Sequence, residues 1–392
     1  MKQIINGVLL KGLKSYFYLD PKITYFNHGS FGACPKFIFD KYIEIQKKLE
    51  QNPVYFLDES IDERILKSQI KLAKYIDCEH DDIVFFPNPT TAINEVIKSL
   101  NLKKNDEILS TNQEYGALDK AWDYISKKTG SKYIKIKIPN PLSNNDDIYD
   151  FFKTKINNRT KVLYLSHMTS ATGLILPVKK IINLARKFGI LSIIDGAHAP
   201  GHIDVSIKDL NPDIYTGTCH KWLLTPKGVS FLYVKKRIQK IIKPLIISWG
   251  YSNKEIKRTK FQDEHLWQGT RNISSYLTIN RALQYREIYK WDEVAELCKN
   301  RILKFGEEIQ EEFDFNLFCS LSTKFLGQML SFDIKLTADK INQIYSLLKK
   351  DKIIIPIFEW ENKLIMRISI NGYNSESEIK QLLSCLRKIK KL

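Results

Sequence analysis

From residue 83 onward, short apolar runs alternate with stretches of helical periodicity. Most runs are nearly continuous in β-branched or aromatic residues, as expected of strands that are buried on both faces of a sheet. Seven strands are predicted in this way, over residues 83–86, 107–110, 133–138, 162–166, 191–195, 214–217 and 229–234. Strands that alternate with helices form mostly parallel sheets, which bind ligands at the carboxyl ends of their strands. The pattern therefore predicts an α/β fold and directs attention to the polar residues that follow each strand.

The length of 392 residues is large for one simple core, so we expect more than one domain. An N-terminal arm and helix are expected over residues 1–49, a large α/β domain over 50–285 and a smaller α+β domain over 286–392. The smaller domain is predicted from a long helix, three strands and a last helix, at 291–313, 328–332, 353–358, 364–370 and from Ser375 onward. Ser375 and Glu378 have the spacing of a capping box at the start of that last helix.

The composition excludes several classes of protein. No apolar run approaches the ~18 residues that a membrane helix needs, and the broken apolar stretch of residues 1–13 is a poor signal peptide. The six cysteines occur singly and without a CxxC pair, so neither a disulfide framework nor a metal site is expected, and a cytoplasmic location fits. The net charge is +17, but the lysines are spread along helical stretches rather than gathered in one block. This distribution favours a solvated lysine-rich surface, without a nucleic-acid or membrane partner.

Three polar positions follow predicted strands and suggest chemistry. Lys221 comes soon after the strand 214–217, with Thr218 and His220 beside it. Desolvation and a nearby cation lower the pKa of an amine, and a neutral amine can form a Schiff base with an aldehyde. Asp195 ends another strand, where a buried carboxylate needs a cationic partner. Taken singly, a solvated lysine and an aspartate bonded to the backbone of a turn also explain these residues.

The third position is a helix start at Asn88-Pro89-Thr90, directly after the strand 83–86. A helix N-terminus with hydroxyl groups is suited to a phosphate, although an ordinary N-cap explains the same residues. A Schiff-base lysine, a carboxylate for a protonated ring nitrogen and a phosphate site together describe pyridoxal 5′-phosphate. The carboxylate would keep the pyridinium protonated, so that the ring accepts electrons from the substrate's Cα.

Eight short motifs in the chain extend this interpretation. They occur at residues 26–32, 88–94, 114–117, 166–173, 195–199, 220–221, 269–271 and 367–369. In these motifs the chain resembles the class V aminotransferase family of fold-type I pyridoxal-phosphate enzymes. Within that family it is similar to the isopenicillin N epimerase-like branch, which is related to the cysteine desulfurases. The resemblance implies the transferase-like fold of those enzymes, with a large, mostly parallel seven-stranded sheet and a smaller α+β C-terminal domain.

The resemblance also implies a role for each matching residue. Lys221 would form the Schiff base, Asp195 would pair with the pyridinium nitrogen, and Tyr115 would stack on the ring face opposite Lys221. The remaining cofactor-binding residues would be Pro89, Thr90, Thr218 and His220 at the phosphate, Ser170 and His198 near the ring hydroxyl, and Thr270 at the cofactor of the other subunit. Asn27 and His28 would line the substrate side, and Arg367 would bind the substrate carboxylate through its bidentate guanidinium. A homodimer with shared active sites and an amino-acid substrate are therefore expected.

The chain also departs from the desulfurase pattern. Residues 350–366 contain no cysteine, where desulfurases carry the one that forms a persulfide, and Ser170 stands where they usually have asparagine. The expected reaction is an epimerase-like step at Cα, in which Lys221 removes the proton and Tyr115 or His28 returns one on the other face. The enzymatic alternatives are a C–S lyase acting by β-elimination and an aminotransferase. The alternative outside enzyme chemistry is a basic binding protein that retains the fold.

Overall fold

The computed structural model describes residues 12–252 and 258–392, so residues 1–11 of the predicted arm lie outside the described part of the chain. The helices are α1 Lys36–Gln51, α2 Ile61–Tyr75, α3 Pro89–Ser99, α4 Gly116–Thr129, α5 Asn145–Lys155, α6 Val178–Lys187, α7 Ile207–Leu210, α8 Lys236–Gln239, α9 Lys260–Leu266, α10 Ile279–Ile288, α11 Trp291–Phe313, α12 Ile341–Lys350 and α13 Glu376–Ile389. The strands are β1 Thr24–Tyr25, β2 Ile83–Phe86, β3 Glu107–Thr111, β4 Lys132–Ile136, β5 Thr160–Ser166, β6 Leu191–Gly196, β7 Ile214–Thr218, β8 Ser230–Val234, β9 Asn316–Leu317, β10 Met329–Asp333, β11 Ile353–Ile354, β12 Ile357–Trp360 and β13 Lys363–Ser369.

The central sheet contains the seven strands that the sequence predicts, in the order β2-β8-β7-β6-β5-β3-β4. Strands β7, β6, β5, β3 and β4 pair in parallel, whereas β8 runs antiparallel to both β7 and β2. Because β8 is reversed relative to both neighbours, β2 points in the same direction as the parallel strands. Every residue of β2, β3, β7 and β8 is buried, as expected of a sheet covered on both faces. The predicted α/β fold with a mostly parallel sheet is confirmed.

A second sheet has the order β12-β13-β10-β9 and is antiparallel throughout. The single strand predicted over residues 353–358 is wrong, because this segment is divided between two sheets. Its first part, β11, pairs with β1, and its second part, β12, pairs with β13. Pro356 separates the two parts, and a proline cannot donate a hydrogen bond to a neighbouring strand.

The N-terminal segment contacts the C-terminal third of the chain. Strand β1 lies parallel to β11, and the Leu13 N–H donates to the Gly372 oxygen at 2.8 Å. The predicted boundary at residue 49 falls inside α1. The three domain ranges remain predictions.

The last helix begins as its sequence predicts. The Ser375 hydroxyl accepts the Glu378 N–H, and the Glu378 side chain accepts the Ser375 N–H, so the capping box is confirmed. Within the described ranges, no helix combines the length and the apolar character that crossing a membrane requires.

Candidate active site

The carboxyl ends of β2, β3, β5, β6 and β7 lie at the same edge of the central sheet. The predicted site residues follow these ends. Thr90 lies in the first turn of α3 after β2, and Tyr115 precedes α4 after β3. Asp195 is the penultimate residue of β6, and Lys221 lies shortly after the end of β7 at Thr218. Because β6 and β7 pair with each other, the fold brings the aspartate and the lysine to adjacent strand ends.

Lys221 is half-buried, and its Nζ lies 3.2 Å from Nε2 of His198. Burial lowers the pKa of the Lys221 amine to about 7, and the positive charge of Arg367 contributes to the shift, whereas Asp195 opposes it. The neutral amine is therefore accessible near neutral pH, unlike that of a solvated lysine. A neutral amine is the form that attacks an aldehyde or accepts a proton.

Asp195 is buried at the end of β6. Its Oδ1 accepts the Ala197 N–H at 2.9 Å, and its Oδ2 is 3.4 Å from the Tyr164 hydroxyl. Burial raises the pKa of this carboxyl, although the Ala197 N–H and the charge of Lys221 oppose the shift. Among the described residues no cation lies within salt-bridge distance of Asp195, so a protonated ring nitrogen placed there would be stabilised.

Arg367 lies on β13 and is only 1% exposed. Its Nη2 donates to the Ser30 hydroxyl at 2.7 Å, and its Nη1 donates to the backbone oxygen of Ser170. Within residues 12–252 and 258–392, no carboxylate pairs with Arg367 and its Nε has no hydrogen-bond partner. Burial lowers the pKa of the guanidinium to about 10, so it remains charged at neutral pH. A buried cation whose neighbours are neutral oxygens is suited to an incoming anion.

The glycine-rich loop that follows β1 lies between Lys221 and Arg367. A Cβ atom on Gly32 would lie 2.7 Å from the Cα of Lys221, and one on Gly29 would lie 2.6 Å from the Met329 sulfur and 3.3 Å from Nη2 of Arg367. Glycine has no Cβ and therefore permits this close approach of the backbone. The loop packs against the backbone of the lysine and the guanidinium of the arginine, and a larger residue at Gly32 would clash with the backbone of His220 and Lys221.

His28 occupies a different environment from the one expected. Its ring is fully buried; Nδ1 accepts the Ala33 N–H at 3.3 Å and lies 3.1 Å from the Tyr373 hydroxyl. Nε2 lies 3.1 Å from the backbone oxygen of Lys221. Burial lowers the pKa of His28 to about 3. Because both ring nitrogens are engaged and no part of the ring reaches solvent, His28 cannot return a proton to a substrate here; it fastens the backbone of Lys221 instead.

The residues of the expected phosphate site have mixed surroundings. The Asn88 side chain accepts the Thr91 N–H at 2.8 Å and caps α3, and Pro89 has no N–H to offer. His220 Nδ1 is 2.8 Å from the Val229 oxygen. The Thr218 hydroxyl is buried and has no partner among the described residues. An orphaned buried hydroxyl beside the lysine fits a phosphate oxygen, so the residues present fit pyridoxal 5′-phosphate.

The other predicted residues occupy three different settings. Tyr115 is 46% exposed at the N-terminus of α4, and its side chain is open to the solvent. Ser170 meets Arg367 through its backbone oxygen. Asn27 is half-buried, and its Oδ1 has no partner in the described part of the chain, which leaves an acceptor for a substrate.

Thr270 is exposed and lines a surface cavity of about 850 Å³. The cavity also borders the C-terminal half of α1 and includes Arg271. None of its lining residues belongs to the group around Lys221. The geometry therefore does not bring Thr270 to the site of its own chain.

Sequence reasoning missed several residues that contact the expected ones. Ser30 binds Arg367, Tyr164 contacts Asp195, and Trp222 contacts His198 at 3.4 Å. Ser30 lies inside a motif that the sequence identifies, and Trp222 follows Lys221 directly. Their positions are signals that were available, whereas Tyr164 is indistinguishable in the sequence from any other buried strand residue.

Comparisons with known proteins complete this picture. The family model for aminotransferase class V matches residues 34–382. The chain belongs to the class V aminotransferase family. The predicted family, the enzyme class and the pyridoxal 5′-phosphate cofactor are confirmed by this membership, and a basic binding protein without chemistry is set aside.

Members of the class V aminotransferase family with different activities are similar to this chain. An isopenicillin N epimerase of Amycolatopsis lactamdurans is 27% identical over 95% of this chain and 96% of that protein. A probable chloroplastic L-cysteine desulfhydrase of Arabidopsis thaliana is 25% identical over 86% of this chain and 75% of that protein. Among solved structures, a C-DES mutant with glycine covalently linked to its PLP cofactor superposes with a TM-score of 0.84 at 20% identity, over 95% of this chain and 98% of that chain. This structural likeness supports the fold.

Proposed function

We propose that the protein removes the Cα proton of an amino acid and eliminates a sulfur group from its Cβ. The observation that carries the proposal is the pairing of the half-buried Lys221 with the buried Arg367, both of which the glycine loop of residues 29–32 contacts. One is a partly neutral amine and the other is a charged guanidinium that has no carboxylate partner among the described residues. A base and a carboxylate receptor on the two sides of one loop match an α-amino acid.

In this proposal the cofactor is held by residues of the large sheet. Lys221 would hold it covalently through Nζ, Asp195 would pair with its ring nitrogen, and Thr218 and Thr90 would bind its phosphate. His198 would lie near the ring hydroxyl, and Tyr115 would cover the outer face. The cofactor, when bound, supplies an electron sink for the charge that develops at Cα.

Arg367 would orient the substrate. Its guanidinium is held by Ser30 and by the backbone oxygen of Ser170, and its planar donors suit a carboxylate. A carboxylate bound there fixes one substituent of Cα. The Lys221 amine would be the nearest base for the Cα proton.

Elimination needs only this one base, and this is why the site favours it over epimerisation. The sequence suggests Tyr115 and His28 for returning a proton on the other face. Both ring nitrogens of the buried His28, however, are occupied by hydrogen-bond partners within the protein. After Lys221 has taken the Cα proton, the same group can protonate the leaving sulfur at Cβ. The names of similar proteins, among them L-cysteine desulfhydrases, support sulfur as the leaving atom.

Transfer of sulfur to a protein cysteine is not part of the proposal. Five of the six cysteines, Cys34, Cys78, Cys298, Cys319 and Cys385, have pKa values that burial raises to about 12. Burial raises the pKa of the Cys219 thiol too. A thiolate is the reactive form of cysteine, so these thiols are poor nucleophiles.

Epimerisation at Cα is the second candidate. Tyr115 remains exposed at the edge of the site and would face the side opposite Lys221, where a proton must be returned. The similarity to isopenicillin N epimerases over nearly the whole chain supports this candidate as well.

A homodimer with shared active sites also belongs to the proposal. Thr270 lies in an exposed cavity away from the Lys221 group, so it would reach a cofactor only in a second copy of the chain. Closed two-fold dimers are the commonest assembly. We further propose a cytoplasmic location, because all six cysteines are free.

The test is incubation of the purified, cofactor-loaded protein with L-cysteine and L-cystine in deuterated water. Elimination yields pyruvate and ammonia together with sulfide or a persulfide in equal amounts. Deuterium at Cα of a recovered amino acid, without pyruvate, would instead assign epimerisation. A keto acid that retains the substrate's side chain would assign transamination, and Lys221→Ala serves as the inactive control.

A further inference from the structure

Trp222 connects Lys221 to a buried histidine. The indole is 2% exposed, and its Nε1 lies 3.4 Å from Nδ1 of His198. The other nitrogen of His198, Nε2, lies 3.2 Å from Nζ of Lys221. The three side chains therefore form a continuous line that ends on the reactive amine.

The chemistry of the indole fixes the direction of these contacts. A tryptophan N–H is only a donor, so Nδ1 of His198 must accept. His198 is buried, and its pKa lies well below the ordinary value because of burial and then the charges of Lys221 and Arg367, so the ring is neutral. A neutral imidazole that accepts at Nδ1 carries its proton on Nε2.

We propose that Trp222 is a positioning residue that fixes the tautomer of His198, so that the Nε2–H of His198 donates to Nζ of Lys221. This inference rests on the proposed role of Lys221 as the reactive amine, and it is independent of the reaction that follows. A donor facing Nζ hydrogen-bonds the neutral amine. Once Nζ has taken a proton, two donors face each other, and the contact favours passing that proton on.

The surroundings of Trp222 hold the indole in this orientation. The His202 ring stacks on it with centroids 3.8 Å apart, and Nη1 of Arg286 donates to the Trp222 backbone oxygen at 3.1 Å. His202 Nε2 accepts the Gln328 N–H, which places the His202 proton on Nδ1, where it is 3.1 Å from the His198 oxygen. His202 thus fixes the backbone of His198 as well as the ring of Trp222.

The tautomer is measurable by nitrogen NMR of protein labelled with ¹⁵N-histidine. The chain has only 7 histidines, and a His198→Gln variant identifies the signals of His198. In the cofactor-loaded wild type, Nε2 of His198 should be protonated and Nδ1 should be an acceptor. A protonated Nδ1, or a doubly protonated ring, overturns the proposal even if no variant folds.

Trp222→Phe keeps an aromatic ring against His202 and removes the N–H. We expect the Nδ1 signal of His198 to shift and kcat to fall by about tenfold, with KM changed less than about twofold, as the loss of one buried hydrogen bond implies. Trp360→Phe is the matched control, because it removes an indole N–H that donates to the Asn112 oxygen at 3.3 Å. Unchanged His198 signals in Trp222→Phe would refute the proposal.

If Lys221→Ala remains active while the predicted tautomer is found, the proposed role of Lys221 is wrong, whereas the fixed tautomer of His198 is upheld.

Discussion

Lys221 and Arg367 are two cations in the same site, and similar environments affect them differently. Burial is the largest cause of the pKa shift of both side chains. The lysine falls from 10.5 to about 7, whereas the arginine falls from 12.5 to about 10. Near neutral pH the lysine therefore has an accessible neutral form, whereas the arginine stays charged. The residue type therefore decides which side of the site becomes a base and which becomes an anion receptor.

The neighbours of the two cations strengthen this difference. Arg367 donates to a hydroxyl and to a backbone oxygen, which are acceptors that suit a charged guanidinium. Lys221 faces a ring nitrogen of His198, and the charge of Arg367 lowers the pKa of its amine. The charge of Arg367 thus helps to lower the pKa of Lys221, while Arg367 itself remains protonated and able to bind a carboxylate.

Of the changes to these two cations, removal of the lysine should have the largest effect on activity. Lys221→Ala should abolish the visible absorbance of the covalently held cofactor and lower kcat/KM by roughly 10⁴-fold, since the attachment point and the base are both lost. Borohydride reduction followed by peptide mapping should label a peptide that contains residue 221 in the wild type. Lys227→Ala, in the same loop and exposed, is the control. A labelled peptide from elsewhere would show that another lysine holds the cofactor.

Replacement of the arginine should have a smaller effect on activity, and this effect should appear in KM. Arg367→Lys keeps a positive charge but loses the bidentate fork, so we expect KM for the amino acid to rise on the order of 10²-fold. Cofactor affinity, measured by absorbance titration, should stay within about twofold of the wild type. Arg387→Lys, at an exposed ion pair with Glu312, is the matched control. Equal losses of substrate and cofactor affinity would instead assign Arg367 a structural role.

The protonation of Lys221 is testable through the rate at which the cofactor-free protein captures its cofactor. Only the neutral amine attacks the aldehyde, and the pKa of this amine is lowered to about 7. The capture rate should rise about tenfold per pH unit below that value and level off above it. The measurement is stopped-flow absorbance between pH 5 and pH 10, with a lysine peptide as the reference amine. A rate that still rises in parallel with the peptide above pH 8 contradicts the lowered pKa.

The sequence predicted the positions of Lys221 and Asp195 better than it predicted the residues that contact them and Arg367. Lys221 and Asp195 follow buried strands of a parallel sheet, and the topology alone brings such positions together. The contacts of Ser30 and Trp222 depend on how distant segments pack, and no local pattern encodes that. The burial and hydrogen bonding of His28 have the same origin, since its partners Tyr373 and Lys221 lie far along the chain. The division of the strand at Pro356 was readable in principle, because proline interrupts hydrogen bonding within a sheet.

The smallest expected effect is on stability, and it separates the two cations by their pH dependence. Below pH 7 the folded, cofactor-free protein carries a partly buried ammonium at Lys221, which costs stability relative to the solvated ammonium of the unfolded chain. Between pH 7 and 10.5 the unfolded state binds the proton that the folded state lacks, so this cost shrinks as the pH rises. Lys221→Met should therefore raise the melting temperature of the cofactor-free protein by a few degrees at pH 6 and by less at pH 9.

Arg367→Met completes this comparison. Its guanidinium stays charged in both states below about pH 10, so the effect of its replacement on the free energy of unfolding should be the same at pH 6 and at pH 9. Chemical denaturation of the wild type and of both variants at the two pH values measures the difference directly. A pH-independent gain for Lys221→Met would mean that the lysine keeps its proton in the folded state. In that case the site would contain two permanent cations, and the neutral base on which the proposed elimination depends would have to be generated by the substrate.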